Sequence, residues 1–208
     1  PLINAYLTGK ELKLAAEVDA SVSDFMTTAR LYCSGLNFTF NPHRMILNKV
    51  TDCYLTREDG ERIEIQDDQL YRVVTDLYTG QMLGSVMEMS YGLLKIEPKD
   101  KDGNPIENLE DQAIMEGDKE LKAWDAIARY MKSFDDTDGN GISNVPEYYE
   151  TTHGRKVVDE SRNVIDLVKN PNKFSVMIVG IVLVLILIII LLVVLIRKLI
   201  KKRRRKKK

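Results

Sequence analysis

Apolar and polar positions along this 208-residue chain repeat with two different periods, and then give way to a run with no polar face at all. Thr8 and Glu11 stand at capping-box spacing, and Leu12, Ala15, Ala16 and Val18 follow at helical intervals, which predicts a helix over about Gly9 to Ala20. From Leu36 the period drops to two. Leu36, Phe38 and Phe40 alternate with Asn37 and Thr39, the turn-forming Asn41-Pro42-His43-Arg44 intervenes, and Met45 to Leu55 resumes a strand-like pattern, so the segment reads as a β-hairpin. Glu58-Asp59-Gly60 marks a turn before a strand at Arg62 to Ile65, and Tyr71 to Tyr78 is a further β-prone stretch centred on Val73 and Val74. Gly80 to Met89 reads as helix, Leu93 to Glu97 as extended chain, and Asp102-Gly103-Asn104 as a turn. Leu121, Trp124, Ile127, Ala128 and Met131 form one apolar stripe of a second helix. Helices and hairpins mixed in this order favour an α+β domain over a doubly wound sheet.

Val176 to Ile196 is different, with 21 consecutive residues that carry no charge and are nearly all Val, Ile or Leu. As a helix it spans ~31 Å, the thickness of a bilayer's hydrocarbon core. A core helix of that length in a soluble protein would show a polar face, and this one shows none. The expected fold class is thus a mixed helix and hairpin α+β ectodomain followed by one C-terminal transmembrane helix.

Charge then gives the helix a direction. The chain has 30 Lys and Arg against 31 Asp and Glu, but no acid follows Lys173 and ten cations crowd the twelve positions from Arg197 to Lys208. Residues 1–173 keep 20 basic and 31 acidic side chains, a net charge of −11. Cations are retained on the cytoplasmic side, so the expected topology is single-pass in the cell membrane, with the C-terminus inside and touching anionic headgroups and residues 1–173 outside. An acidic globular part also excludes a nucleic-acid binder built on a basic face. The expected organisation is an α+β domain over 1–133, a calcium-loop-like segment at 134–150, a polar juxtamembrane stalk at 151–173, a transmembrane helix at 174–196 and a basic tail at 197–208. An outside domain needs a signal peptide, and residue 1 is Pro with no signal-like stretch after it, so the chain is expected to be the C-terminal portion of a longer precursor.

Catalytic chemistry is sparse. His43 and His153 are the only histidines, and there is no P-loop, HExxH or CxxC, so no complete catalytic site is legible and both imidazoles read as surface residues. Cys33 and Cys53 lie on opposite arms of the expected hairpin, which leaves open a cross-strand disulfide or two semi-buried free thiols. Asn37-Phe38-Thr39 is a glycosylation sequon, and its place inside a strand argues against its use.

The sharpest local motif runs from Asp136 to Glu147. Side-chain oxygens from Asp136, Asp138, Asn140, Asn144 and Glu147 fall at the spacing that wraps a short loop around a hard cation, and the Ile142 carbonyl completes the shell, so Ca²⁺ is the expected cofactor. Ile142 one position early and Pro146 near the end depart from the EF-hand pattern and resemble the DxDGDGI-type calcium loops of bacterial surface proteins. A polar helix-to-helix turn accounts for the same letters without a metal.

Three stretches carry a wider resemblance: LINAYLTGKEL from Leu2, CSGLNFTFNPHRMILNKVTDCYL from Cys33, and LYRVVTDLYTGQMLGSVMEMSYGLLKIEPKDKDGNPI from Leu70. Over about residues 1–130 the chain resembles the C-terminal domain of the 5'-nucleotidase family, the metallophosphoesterases that include bacterial UDP-sugar hydrolases, in a membrane-anchored bacterial form. The resemblance implies a division of labour: an N-terminal domain outside this sequence carries a pair of divalent metals and activates water, while this domain binds the nucleotide or nucleoside. It also implies that Tyr78, at the end of the strand Tyr71 to Leu77, stacks on the base, a contact worth ~1–3 kcal/mol that tolerates several bases. A second stacking aromatic is expected just upstream of Pro1. The family's Gly-Gly-Asp-Gly turn, whose Asp binds ribose, is replaced here by Met82-Leu83-Gly84-Ser85. The leading expectation is the substrate-binding and anchoring part of a surface 5'-nucleotidase-like hydrolase of external nucleotides. The rival is a non-catalytic surface module that binds a partner or polymer.

Overall fold

The computed structural model describes the chain apart from residues 24, 28, 29, 91, 93 and 206–208, and apart from the side chains of residues 86, 88, 89 and 203–205. Leu93, the expected start of an extended segment, and the tail cations Lys206 to Lys208 therefore lie outside the described residues. In chain order the elements are β1 (Leu2–Thr8), α1 (Gly9–Val22), β2 (Leu36–Phe40), β3 (Val50–Thr56), β4 (Arg62–Glu64), β5 (Leu70–Asp76), α2 (Leu77–Met89), β6 (Met115–Glu116), β7 (Lys119–Glu120), α3 (Ala123–Lys132), β8 (Lys156–Val158), α4 (Val164–Val168) and α5 (Lys173–Arg205). The fold is mixed α and β, with one long apolar helix at its C-terminal end.

β1 pairs antiparallel with β5, Leu2 opposite Asp76 and Thr8 opposite Leu70. The second sheet has the order β4-β3-β2-β8, antiparallel except for the parallel β2–β8 pair. α1 ties these parts together. Leu12, Ala15 and Val18 pack with Leu7, Leu94, Ile96 and Phe174, while Ala16 and Ala20 pack with Phe38 of the second sheet. Alanines at three of these positions let the helix lie close to its neighbours, because a small side chain sets a short interaxial distance. At the helix start the approach is closer still: a Cβ on Gly9 would stand 2.1 Å from the Gln66 carbonyl oxygen, so only glycine fits.

The capping box forms in full. The Glu11 amide donates to Thr8 Oγ1 at 3.3 Å and Glu11 Oε2 accepts from the Thr8 amide at 2.8 Å. α1 buries acids as well as apolar residues, and each has partners. Glu11 Oε1 accepts from Lys99 Nζ at 2.5 Å and from the Glu97 amide at 3.1 Å. Glu17 accepts from the Lys49 and Val50 amides at 2.6 and 2.8 Å. Asp19 accepts from the Leu31 amide at 2.8 Å and pairs with Lys156 at 2.7 Å. A buried carboxylate is tolerable only when so paired.

Several expectations need correction. The second hairpin arm does not start at Met45: β3 begins at Val50, because Leu47 sits at φ 60° and the amides of Lys49 and Val50 are taken by Glu17. β5 ends at Asp76, so Tyr78 is not a strand-end residue but lies in the first turn of α2. α3 forms where its apolar stripe indicated, yet the stripe is largely uncovered among the described residues: Trp124 is 71% and Ile127 59% exposed. The polar segment 151–173 is not a free stalk. The Phe38 amide donates to the Arg155 carbonyl at 2.8 Å and β8 extends the second sheet. Arg44, itself buried, donates to the carbonyls of Asp166 and Lys169, and Asn41 Nδ2 donates to the Ser161 carbonyl at 2.7 Å.

The two cysteines are free. Cys53 stands opposite Phe38 in the β2–β3 pair while Cys33 precedes β2, so no cross-strand register joins them. Burial pushes both thiols up, Cys53 to about 12, which leaves them protonated and poor nucleophiles. Asn37 is buried and its amide donates to Thr56 Oγ1 at 2.6 Å, so the sequon nitrogen is engaged inside the sheet.

Candidate functional site

The β5–α2 junction presents Tyr78. Asp76 ends the strand and starts the helix: its carboxylate accepts from the Thr79 amide at 3.0 Å and from Thr79 Oγ1 at 2.6 Å. Burial raises the Asp76 pKa, but the bonds from Thr79 outweigh it and the carboxyl stays below its ordinary value, ionised as an N-cap should be. Under this turn Gly80 packs on Ile3, where a Cβ would stand 2.6 Å from the isoleucine Cδ1. With the turn fastened on its inner side, the Tyr78 ring points outward and is 63% exposed. The Leu77 amide donates to the Pro1 carbonyl at 3.0 Å, so the first residue of the sequence abuts the turn that carries Tyr78. On the outer face of the neighbouring strands Arg72 Nε donates to Asn4 Oδ1 at 2.7 Å, and Val74 is exposed.

Chemically the junction offers an exposed aromatic face beside a capped helix start. Neither imidazole supplies a base to it. His43 Nε2 meets Arg162 Nε at 3.3 Å, and His153 stacks on Tyr148 with centroids 3.9 Å apart. Among the described residues no group of three or more His, Cys, Asp and Glu side chains gathers as a metal cluster. The Asp76-x-x-Thr79 cap is masked in the sequence because the β-prone stretch from Tyr71 runs on through Tyr78. An Asp three residues before a Thr at the start of a helical pattern was the available signal.

The Asp136–Glu147 loop is shaped from within. Asp136 Oδ1 accepts from the Gly139 amide at 2.8 Å and Oδ2 from the Gly141 amide at 2.8 Å. Asn140 Oδ1 accepts from the Ile142 amide at 2.8 Å, and Asn144 Oδ1 from the Thr137 amide at 2.8 Å. The Gly141 amide, foremost among these contacts, holds the Asp136 carboxyl below its ordinary range. Gly139 and Gly141 have φ of 73° and 84°, the left-handed region the tight turn requires. The loop thus brings Asp136, Asp138, Asn140 and Asn144 into one hydrogen-bonded turn, while Glu147 begins a short 3-10 helix, Glu147–Glu150.

α5 contains one stretch, Lys173–Lys202, long and apolar enough to cross a membrane; its most apolar 18 residues have a mean hydropathy of 3.9 and are not buried against the described residues. It fits a single-pass anchor.

Among solved structures the chain is similar to a 5'-nucleotidase precursor from Thermus thermophilus, at 19% identity and a TM-score of 0.48, covering 77% of this chain and 25% of that one. The chain therefore spans about a quarter of that protein's length. No curated protein matches it. The family model for the 5'-nucleotidase C-terminal domain matches residues 1–90, the stretch from β1 through α2 that includes both strands and the helix around Tyr78. Residues 1–90 of this chain are thus similar to the C-terminal domain of 5'-nucleotidases.

Proposed function

We propose that this chain is the nucleotide-binding and membrane-anchoring portion of a cell-surface 5'-nucleotidase-like phosphohydrolase that acts on external nucleotides. The observation that carries the reading is the family match over residues 1–90. In it, the hydrolytic centre with its divalent metal pair belongs to an N-terminal metallophosphoesterase domain, and this domain holds the base and ribose so that the phosphate reaches that centre. The exposed face of Tyr78 supports the binding role, and Pro1 beside Leu77 would bring preceding chain, and an aromatic on it, next to the ring. In the full-length enzyme Tyr78→Ala is expected to raise KM for AMP by roughly 5- to 150-fold, the equivalent of ~1–3 kcal/mol of stacking, while Tyr78→Phe changes it little. Equal effects of the two substitutions in steady-state kinetics would show that the hydroxyl, not the ring face, matters.

α5 is, in this reading, the membrane anchor, with residues 1–173 outside and the basic tail in the cytoplasm against anionic headgroups, since cations follow only its C-terminal end. Protease added to intact cells should remove an epitope in the domain and spare a C-terminal tag; the reverse pattern would overturn the topology.

The Asp136–Glu147 loop belongs to the same reading as a Ca²⁺ site that stiffens the segment between α3 and β8. Two carboxylates, Asp136 and Asp138, already share one turn, and an extracellular site of Kd ~10⁻⁴–10⁻³ M suffices where Ca²⁺ is plentiful. Millimolar Ca²⁺ should raise the melting temperature and protect residues 134–150 from protease, with Asp136→Ala abolishing both effects. A titration without heat would leave the loop a polar turn. A second reading, a non-catalytic binding module, is favoured by the uncovered apolar stripe of α3. Phosphate release from AMP by the full-length protein decides against it.

A further inference from the structure

The segment leading into α5 is bound tightly to the domain. Asn172 Nδ2 donates to the Leu47 carbonyl, the Asn172 amide donates to Asn48 Oδ1 at 3.2 Å, and Asn172 Oδ1 caps the helix by accepting from the Phe174 and Ser175 amides at 3.1 Å each. Phe174 is only 4% exposed, packed with Leu7, Leu12 and Ile96. Val176, where the charge-free run begins, is exposed and stands two positions on, a rise of ~3 Å. The polar layer on each side of a bilayer is only roughly 5–8 Å thick. A helix that reaches hydrocarbon from Val176 therefore leaves the surrounding domain surface among the headgroups.

That surface holds a cavity of 490 Å³ beside the α5 start, lined by Lys10 and Lys13 of α1 and by Asn48, Asn170, Asn172 and Lys173. The acids on its wall are occupied. Asp52 and Glu64 pair with Arg62 at 2.8 and 2.6 Å, and Glu17 accepts from the backbone of Lys49 and Val50. Lys13 pairs with Asp67, but among the described residues Lys10 and Lys173 have no carboxylate in ion-pair range. Asn48 is buried, and its Nδ2 makes no hydrogen bond among the described residues. Two cations without a carboxylate partner among the described residues, Lys173 resting 4.7 Å over the Phe174 ring, together with a spare amide donor are a phosphate-binding set. They sit on a globular part whose net charge of −11 would otherwise repel an anionic leaflet.

We propose that this cavity seats the phosphate of an anionic phospholipid from the leaflet on which the domain rests, met by Lys10, Lys173 and Asn48 Nδ2. The proposal rests on the reading of α5 as the anchor. Its test uses the full chain, in detergent and in vesicles of phosphatidylcholine with phosphatidylglycerol. Carbonate extraction and protease protection of α5 in the vesicles check insertion. Calorimetry in detergent then compares dihexanoyl-phosphatidylglycerol, dihexanoyl-phosphatidylcholine and inorganic phosphate. Saturable binding of the phosphatidylglycerol is expected, weakened roughly fivefold by each of Lys10→Gln and Lys173→Gln and unchanged by Lys119→Gln on β7. Inorganic phosphate that binds as well as the lipid would overturn the lipid source. Insertion of α5 together with binding indifferent to both lysines would overturn the proposal and leave the anchor standing. Failure of α5 to insert would overturn the anchor, and the proposal with it.

Discussion

Glu11→Ala should destabilise the domain by about 3–5 kcal/mol, the usual cost of leaving one partner of a buried ion pair alone. The carboxylate accepts from Lys99, Glu97 and Thr8 at once, so its loss strands the Lys99 ammonium, uncaps α1 and frees the backbone at residues 97–99. Urea denaturation of the full chain in detergent measures the change. Glu11→Gln, which can still accept at the cap, should recover part of the loss, and Glu11→Leu with Lys99→Met should recover more, because the second change removes the stranded charge. A single substitution costing under about 1 kcal/mol would mean that the pair is solvated in solution.

The same residue sets an acid limit. Burial alone would raise the Glu11 pKa, but the bonds from Lys99, Thr8 and Glu97 outweigh it and hold the carboxyl below the usual glutamate range. A folded pKa below the unfolded one means that the unfolded chain binds the extra proton. The contribution of Glu11 is then complete above the ordinary glutamate value and is lost as pH falls through the lowered one. Denaturation midpoints of wild type and Glu11→Gln should converge on acidification.

Phe174→Ala is the second large effect, about 3–5 kcal/mol from the cavity it opens among Leu7, Leu12, Ala15 and Ile96. It should also loosen the helix from the domain, seen as faster hydrogen exchange at the Phe174 and Ser175 amides that Asn172 holds. Val176→Ala, two residues on and exposed, should leave domain stability nearly unchanged. Equal effects at the two positions would mean that Phe174 is not packed into the core.

Much of this protein is legible in one dimension. The capping box of α1, the alternation of β2 and the charge-free run of α5 all rest on residues a few positions apart, and short-range patterns determine short-range structure. The family resemblance is readable for the same reason, carried by contiguous stretches between Leu2 and Ile106, of which the family model matches those within residues 1–90. Only the tertiary structure decided the rest. β8 is three residues long, too short to show a period, and it became a strand because the edge of β2 was open to it. Periodicity gave α3 an apolar side but could not say that it stays largely uncovered among the described residues, since covering is a property of a distant partner. Glu17 and Asp19 are charged letters within α1, yet they are buried, and much of what holds them is backbone amides of Leu31, Lys49 and Val50. A backbone amide is present at almost every residue and is written in none of their letters, so only the folded chain shows which carboxylates meet one.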